Sequence, residues 1–243
     1  MTARTLGGLA LAAHLVPSVA AIGPLRRALL PGLCGVSARD HVALTFDDGP
    51  DPRSTPQLLD VLAAHDVRAT YFVLGTQLSK HPELGRRIAD GGHELAVHGW
   101  SHRPHLLRGP RATAADLRRA RDLVASVSGD PPSYWRPPHG IPTGAGLVAA
   151  RRLGLRPVLW TADGRDWRED ASGDSVAGAI IPGLRPGAVV LLHDSDVMSA
   201  PGSWRSTLAA LPLLLDACAE RRLAVGPLRE HWSAAKVAVR TPG

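Results

Sequence analysis

The amino-acid sequence predicts an α/β fold in which a parallel sheet is wound with helices. Strand-like and helix-like stretches alternate along all 243 residues, and a hydrophobic fraction of 44% is enough for a full core. The length suits one domain with a short extension. Strands are expected near residues 41–46, 68–74, 93–97, 133–136, 156–160, 188–192 and 223–225. Helices are expected near residues 55–65, 83–90, 113–127, 144–152, 174–181 and 204–221.

The charge of the chain does not indicate a nucleic-acid partner. The formal net charge is +6, and only Lys80 and Lys236 among the 28 basic residues are lysines. The arginines are scattered along the sequence, whereas a nucleic-acid surface gathers basic residues on one face or interleaves them with aromatic ones. We therefore expect no nucleic acid among the partners.

Two adjacent carboxylates are the most informative feature of the sequence. Asp47 and Asp48 follow the strand predicted to end at Phe46, and Gly49 and Pro50 then turn the chain. Such residues also form ordinary turns. Because neighbouring side chains of a strand point to opposite faces, one carboxylate at its end can bind a metal while the other faces a substrate. That division of labour suits metal-dependent hydrolysis.

Two histidines stand about fifty residues further on. His98 and His102 have the spacing of two residues on one face of a helix, which lets both imidazoles reach one ion. With Asp48 they form a set of two histidines and one carboxylate that leaves positions open for water and substrate. The alternative is chance spacing, since the chain contains 11 histidines.

Three further segments place polar residues at the ends of predicted strands. Parallel α/β sheets and barrels hold their chemistry at this end of the strands. The segments are Tyr134–Gly140, Trp160–Trp167 and Ala188–Asp194.

Five motifs in this order are similar to those of the polysaccharide deacetylases of carbohydrate esterase family 4. The resemblance extends from about His41 to about Val225, and it implies a distorted, incomplete (β/α) barrel with about seven parallel strands. The motifs are Thr45-Phe46-Asp47-Asp48-Gly49-Pro50, His98-x-x-x-His102, Arg136-Pro137-Pro138-x-Gly140, Asp166-Trp167 and Leu191-Leu192-His193.

The resemblance implies a divalent metal site and a set of catalytic residues. Asp48, His98 and His102 correspond to the metal ligands, and Zn²⁺ is the expected ion because two of the three ligands are nitrogen atoms. Asp47 corresponds to the base, and Arg136 corresponds to the arginine that orients the base. His193 corresponds to the acid, and Asp166 corresponds to the carboxylate that raises the pKa of the acid.

The resemblance also implies a small pocket for the acetyl group. Trp167 and Leu191 would line it, although ordinary core packing is an alternative for Leu191. The backbone N–H of His139 corresponds to an oxyanion donor, and we assign Pro138 to the same pocket.

The expected substrate is an acetylated glycan, with N-acetylated sugars of peptidoglycan or of a chitin-like oligomer as candidates. An O-acetyl esterase acting on a polysaccharide such as xylan has the same motifs and remains an alternative. So does a glycan-binding protein without activity, although the full set of catalytic residues argues against it. We expect a monomer.

The resemblance divides the chain into an extension (1–38), a deacetylase domain (39–230) and a tail (231–243). The uncharged stretch 6–23 of the extension suits a secretory signal, a membrane anchor or a helix packed on the barrel. The first two predict a secreted, envelope or membrane-anchored protein, and a cytoplasmic one stays an alternative. Cys34 and Cys218 are too few for a disulfide scaffold, and we expect two buried thiols.

Overall fold

The centre of the fold is the strand β1 (His41–Asp47), which is buried at all seven positions. The computed structural model describes residues 3–232. After β1 the strands are β2 (Thr70–Leu74), β3 (Glu94–Gly99), β4 (Tyr134–Trp135), β5 (Arg156–Pro157), β6 (Ala162–Asp163), β7 (Val189–His193) and β8 (Ala224–Gly226).

Ten α-helices accompany these strands in the described part of the chain. They are α1 (Ala3–Leu15), α2 (Gly23–Leu29), α3 (Thr55–Ala64), α4 (Gly75–Lys80), α5 (Pro82–Asp90), α6 (Pro110–Ser128), α7 (Gly144–Arg152), α8 (Gly173–Ile180), α9 (Trp204–Glu220) and α10 (Leu228–Trp232).

All strand pairs are parallel, and the order across the sheet is β5-β4-β3-β2-β1-β7-β6. β8 pairs with the first half of β1, where His41 lies opposite Ala224, whereas β2 pairs with the second half. The sheet curls into an incomplete barrel, which confirms the predicted fold class. The register places Asp47 opposite His193 of β7.

The prediction of one strand at 156–160 is wrong. The ladder with β4 ends at Pro157, and pairing resumes on β7 at Ala162. The N–H groups of Arg156 and Val158 both donate to carbonyls of the β4 segment, and Pro157 between them has no N–H to offer a strand on the other side. The residues between them, 158–161, join the two ends of the sheet and form what we call the seam of the barrel.

The two faces of β1 separate the core from the site. Leu44 and Phe46 face the helices and belong to a large apolar cluster with Leu58 of α3. Because side chains alternate along a strand, Thr45 and Asp47 face the interior of the barrel. The sequence therefore places a carboxylate at the end of the interior face of the central strand.

The N-terminal elements lie against the barrel. α1 contacts α7, and the short 3₁₀ helix Val16–Ala21 contacts the segment Pro138–Gly140. No single helix among residues 3–232 is long and apolar enough to cross a membrane; Gly7–Ala21 and Gly23–Leu29 satisfy the criteria only as a pair bent by 115°.

The two cysteines are unpaired, and the C-terminal end of the described chain contacts β1. Cys34 and Cys218 are both buried and free, as expected. His231 at the end of the described chain is buried and contacts His41. The rest of the predicted tail, 233–243, lies outside the described residues.

Alanine substitution at two glycines with left-handed backbones tests how closely the N-terminal segment packs against the barrel. A Cβ added at Gly187 (φ +78°) would lie 1.9 Å from the Ser37 carbonyl oxygen, whereas Gly154 (φ +72°) has nothing within 4 Å. Both alanine variants carry a conformational cost of about 1–2 kcal/mol. We expect Gly187→Ala to lose clearly more stability than Gly154→Ala in urea unfolding. Equal losses would contradict a close Gly187–Ser37 contact.

Candidate active site

A buried ion pair lies at the end of β1. Arg136 is fully buried and donates from Nη1 to Asp47 Oδ1 over 2.6 Å and to Thr45 Oγ1 over 2.8 Å. Burial raises the pKa of Asp47, and the positive charge of Arg136 opposes that increase. The pair fixes the position of the Asp47 carboxylate while its second oxygen faces the cavity described below.

Asp48 enters the same cavity because the chain turns sharply at this residue. Its backbone is left-handed (φ 80°), and its N–H donates to the Phe72 carbonyl. The next residue, Gly49, donates its N–H to Asp194 Oδ1 over 2.9 Å. A Cβ at Gly49 would collide with the Asp194 carboxylate, so this close approach requires glycine.

The prediction that His98 and His102 share a helix is wrong. His98 lies in β3, and His102 lies in the loop that follows. Gly99 adopts φ +120°, which side chains rarely allow, and there the chain leaves the strand. A strand followed by a turn therefore brings the two imidazoles together, with ring centroids 5.0 Å apart.

The three candidate ligand atoms converge on one point. Asp48 Oδ1 lies 3.4 Å from His98 Nε2 and 3.6 Å from His102 Nε2. Tetrahedral coordination with bonds of roughly 2.0–2.1 Å separates ligand atoms by about 3.3–3.4 Å. Asp47 Oδ2 is 3.7 Å from His98 Nε2, so the second carboxylate is also close to the site.

The chemistry of this donor set fits a metal ion. Asp48 Oδ1 is buried and has no hydrogen-bond partner among residues 3–232. Burial lowers the pKa of His98 well below its ordinary value and that of His102 to about 2, so both rings are neutral near pH 7. His98 Nδ1 lies 2.9 Å from the Arg136 carbonyl oxygen, which makes it the donor and leaves Nε2 free to ligate.

His193 faces these groups from β7 and is paired with Asp166. Its Nδ1 lies 2.8 Å from Asp166 Oδ1, and its backbone N–H donates to Asp166 Oδ2 over 2.7 Å. Burial alone lowers the pKa of His193. The nearby carboxylates, Asp166 first and then Asp48 and Asp47, outweigh burial and raise it to about 10.

A cavity of about 360 Å³ joins these groups. Of the residues predicted for the substrate pocket, His139, Trp167 and Leu191 line it, but Pro138 does not. Pro138 is buried, and its ring packs near Gly99 instead. The lining residues are Asp47, Asp48, His98, His102, His139, Gly140, Trp160, Asp163, Trp167, Leu191, His193, Met198 and Ser199.

Several supporting residues were not predicted from the sequence. Thr207 donates to Asp166 Oδ2 over 2.6 Å, and Thr55 donates to Asp194 Oδ2 over 2.7 Å. Burial raises the pKa of Asp194 to about 7. The position of Asp194 after a strand-end histidine was a usable signal, whereas the threonines lie on helices with no motif around them.

Comparisons with known proteins give a consistent picture. The sequence model of the family described as Polysaccharide deacetylase matches residues 35–158. A chitooligosaccharide deacetylase from Bradyrhizobium sp. (strain ANU 289) is 39% identical over 204 residues, which cover 79% of this chain and 91% of that protein.

Two solved structures extend the comparison. The Bc1960 peptidoglycan N-acetylglucosamine deacetylase has a TM-score of 0.75 at 28% identity, over 83% of this chain and 92% of that one. A family 4 acetyl xylan esterase from Clostridium thermocellum, solved with a cobalt ion, has a TM-score of 0.70 at 27% identity, over 79% of this chain and 89% of that one.

The pairing of His193 with Asp166 predicts a pH dependence. In chelator-treated protein we expect the His193 imidazole to titrate near pH 10, and at a clearly lower pH in Asp166→Asn, where only Asp48 and Asp47 still favour the charged ring. Because folding raises this pKa, the pair stabilises the protein fully below about pH 6.5 and loses its contribution as the pH rises through 10. NMR titration of the imidazole measures the pKa. An unchanged value in Asp166→Asn would contradict the assignment.

Proposed function

Because the chain belongs to the polysaccharide deacetylase family, carbohydrate esterase family 4, we propose that it is a metal-dependent hydrolase that removes acetyl groups from N-acetylated sugars of a glycan. The observation that carries the proposal is the convergence of Asp47, Asp48, His98, His102 and His193 on one cavity. Polysaccharide deacetylation follows from the family; the metal and the roles of the residues are our proposals.

Asp48, His98 and His102 would hold the metal ion, and we propose Zn²⁺ because the set is rich in nitrogen. Held there, the ion would supply Lewis-acid chemistry, polarising the acetyl carbonyl and lowering the pKa of the attacking water. The unpartnered Asp48 oxygen and the two neutral imidazoles support this assignment.

Asp47 acts as the general base. Its Oδ1 is held by Arg136, so Oδ2 is the oxygen that takes a proton from the attacking water. The ion pair keeps the carboxylate in one orientation and favours its charged form, although burial acts in the opposite direction. Arg136 is therefore a positioning residue that works through Asp47.

His193 acts as the general acid. After water has attacked the acetyl carbon, the C–N bond breaks and His193 gives its proton to the departing nitrogen, so that acetate and a free amine are the products. The raised pKa keeps His193 protonated at neutral pH, and an amine needs that proton more than an ester alkoxide does.

The apolar part of the cavity suits the acetyl methyl group. Leu191 is buried and lines the cavity beside His193, whereas the Trp167 side chain is 45% exposed and faces the cavity mouth. We propose that Leu191 contacts the methyl group and Trp167 the sugar. The His139 N–H is our candidate oxyanion donor, and the left-handed backbone of His139 (φ 58°) sets its direction.

The substrate is proposed to be a peptidoglycan-like or chitin-like glycan, because the relatives with these activities cover most of the chain. Such a substrate suits a secreted or envelope location. Acetate release from N-acetylglucosamine oligomers, compared with release from acetylated xylan, decides between the N-acetyl and O-acetyl alternatives.

Loss of a candidate ligand should remove metal and activity together. We expect His98→Ala and His102→Ala to lose bound Zn²⁺ and deacetylase activity, and Asp48→Asn to keep weak binding because an amide oxygen is a poorer ligand. Elemental analysis after dialysis and an acetate-release assay measure both. His65→Ala, at an exposed position directly after α3, is the control. Full metal content in either histidine variant would overturn the ligand assignment.

Asp47 should differ from its neighbour in one respect. Asp47→Asn should keep its metal but lose about 10²–10⁴-fold in kcat, the usual contribution of a general base. Kinetics and metal analysis on the same preparation test this, with Asp48→Asn as the matched variant. If Asp47→Asn lost its metal, Asp47 would be a metal ligand instead of a base. The test is needed because Asp47 Oδ2 lies only 3.7 Å from His98 Nε2.

A further inference from the structure

The seam of the barrel is held by arginine side chains. Three consecutive carbonyl groups, those of Val158, Leu159 and Trp160, each accept a hydrogen bond from a guanidinium group. Arg136 donates from Nε to the first over 3.2 Å and from Nη2 to the second over 3.0 Å. Arg26 of α2 donates from Nη2 to the third over 2.9 Å. The base-orienting arginine and an N-terminal arginine therefore hold adjacent peptide groups.

Arg26 is buried although it has no acidic partner. The residue is 4% exposed, and the carboxylate that attracts it, Asp163, forms no ion pair with it in the described part of the chain. It donates from Nη1 to the Ala20 carbonyl and lies 4.7 Å from the centroid of the Trp160 ring. Burying an unpaired charge is unfavourable. The contacts that compensate for it are those with Trp160 and with its own segment, Cys34 included, together with the longer-range attraction of Asp163.

Trp160 is in turn a wall of the active-site cavity. Its ring lines the cavity and packs against Gly140, where an added Cβ would lie 2.4 Å from it. The Arg136 guanidinium is 5.8 Å from the centroid of the same ring. A displacement of the Trp160 ring would therefore change both the position of the turn at His139 and the shape of the cavity.

We propose that Arg26 is a positioning residue for the reaction, fixing Trp160 as a wall of the substrate cavity and making the N-terminal segment 16–34 a working part of the catalytic unit. A second contact supports this, since the Leu159 N–H donates to the Leu33 carbonyl over 2.7 Å. The effect on catalysis rests on the proposed deacetylase function, whereas the contact itself does not.

The test compares Arg26→Ala and Arg26→Lys with Arg27→Ala, which removes an exposed arginine from the next position of the same helix. With N-acetylglucosamine oligomers we expect Arg26→Ala to lower kcat/KM by about 10–100-fold, since small misplacements in a site can cost about 10²-fold. Metal content should stay unchanged. Arg26→Lys should retain more activity than Arg26→Ala. The lysine ammonium can donate to one of the two carbonyl groups, but it lacks the forked guanidinium that reaches both. Arg27→Ala should match the wild type.

A double-mutant cycle with Trp160→Phe separates positioning from general destabilisation. If Arg26 acts through Trp160, the losses in kcat/KM are not additive when measured below the Tm of every variant. Additive losses, or wild-type kcat/KM in Arg26→Ala, would overturn the proposal. Should Arg26→Ala not fold, the same cycle is made with Arg26→Lys.

If the wild type releases no acetate, the proposed function is refuted but the role of Arg26 is not. Spectroscopy then tests whether Arg26 positions Trp160. The near-ultraviolet circular dichroism difference between wild type and Trp160→Phe isolates the signal of Trp160. The folded Arg26 variant should lose that signal, and Arg27→Ala should keep it. A Trp160 signal that persists without Arg26 would overturn the proposal independently of activity.

Discussion

The buried ion pair between Arg136 and Asp47 is the interaction on which the site depends. Arg136 is fully buried, and its donors reach β1 and the seam at once. Removing either partner of a buried pair leaves the other uncompensated, which is costly. The same contacts that stabilise the closed side of the barrel thus determine where the proposed base lies. Stability and the proposed catalysis are joined in one side chain, so a substitution at Arg136 is expected to affect both.

The cavity gathers more negative charge than the protein itself neutralises. Asp48 is buried beside Asp47, Asp194 and Asp166, and its pKa is raised to about 7, mainly because burial disfavours the charged form. Arg136 compensates Asp47, and His193, which is paired with Asp166, also favours the charged form of Asp48, but the two rings within 3.6 Å of Asp48 Oδ1 are neutral. A divalent cation is the simplest complement to such a group. The electrostatics and the donor geometry therefore point to the same ligand.

The candidate site residues that could be predicted from the sequence are those that lie next to the end of a strand. Asp47, His98 and His193 were found because each stands at the end of an apolar run, where parallel strands collect their polar residues. The i, i+4 spacing of His98 and His102 did not reveal the backbone, since a strand followed by a glycine turn also brings two side chains together. The seam was missed because side chains from distant segments replace its ladder, and hydrogen bonds of that kind leave no local pattern.

The arrangement of β1 between early and late strands has a consequence for synthesis on the ribosome. The candidate ligands Asp48, His98 and His102 all belong to the first half of the chain, together with β2 and β3. His193 arrives with β7, and the first half of β1 gains its β8 partner only at Ala224. During synthesis the candidate ligands therefore emerge well before the candidate proton donor, and before Asp194, which accepts from the Gly49 N–H beside Asp48. Premature termination between these points would leave the turn at Asp48 and Gly49 without the Asp194 carboxylate that the full chain supplies.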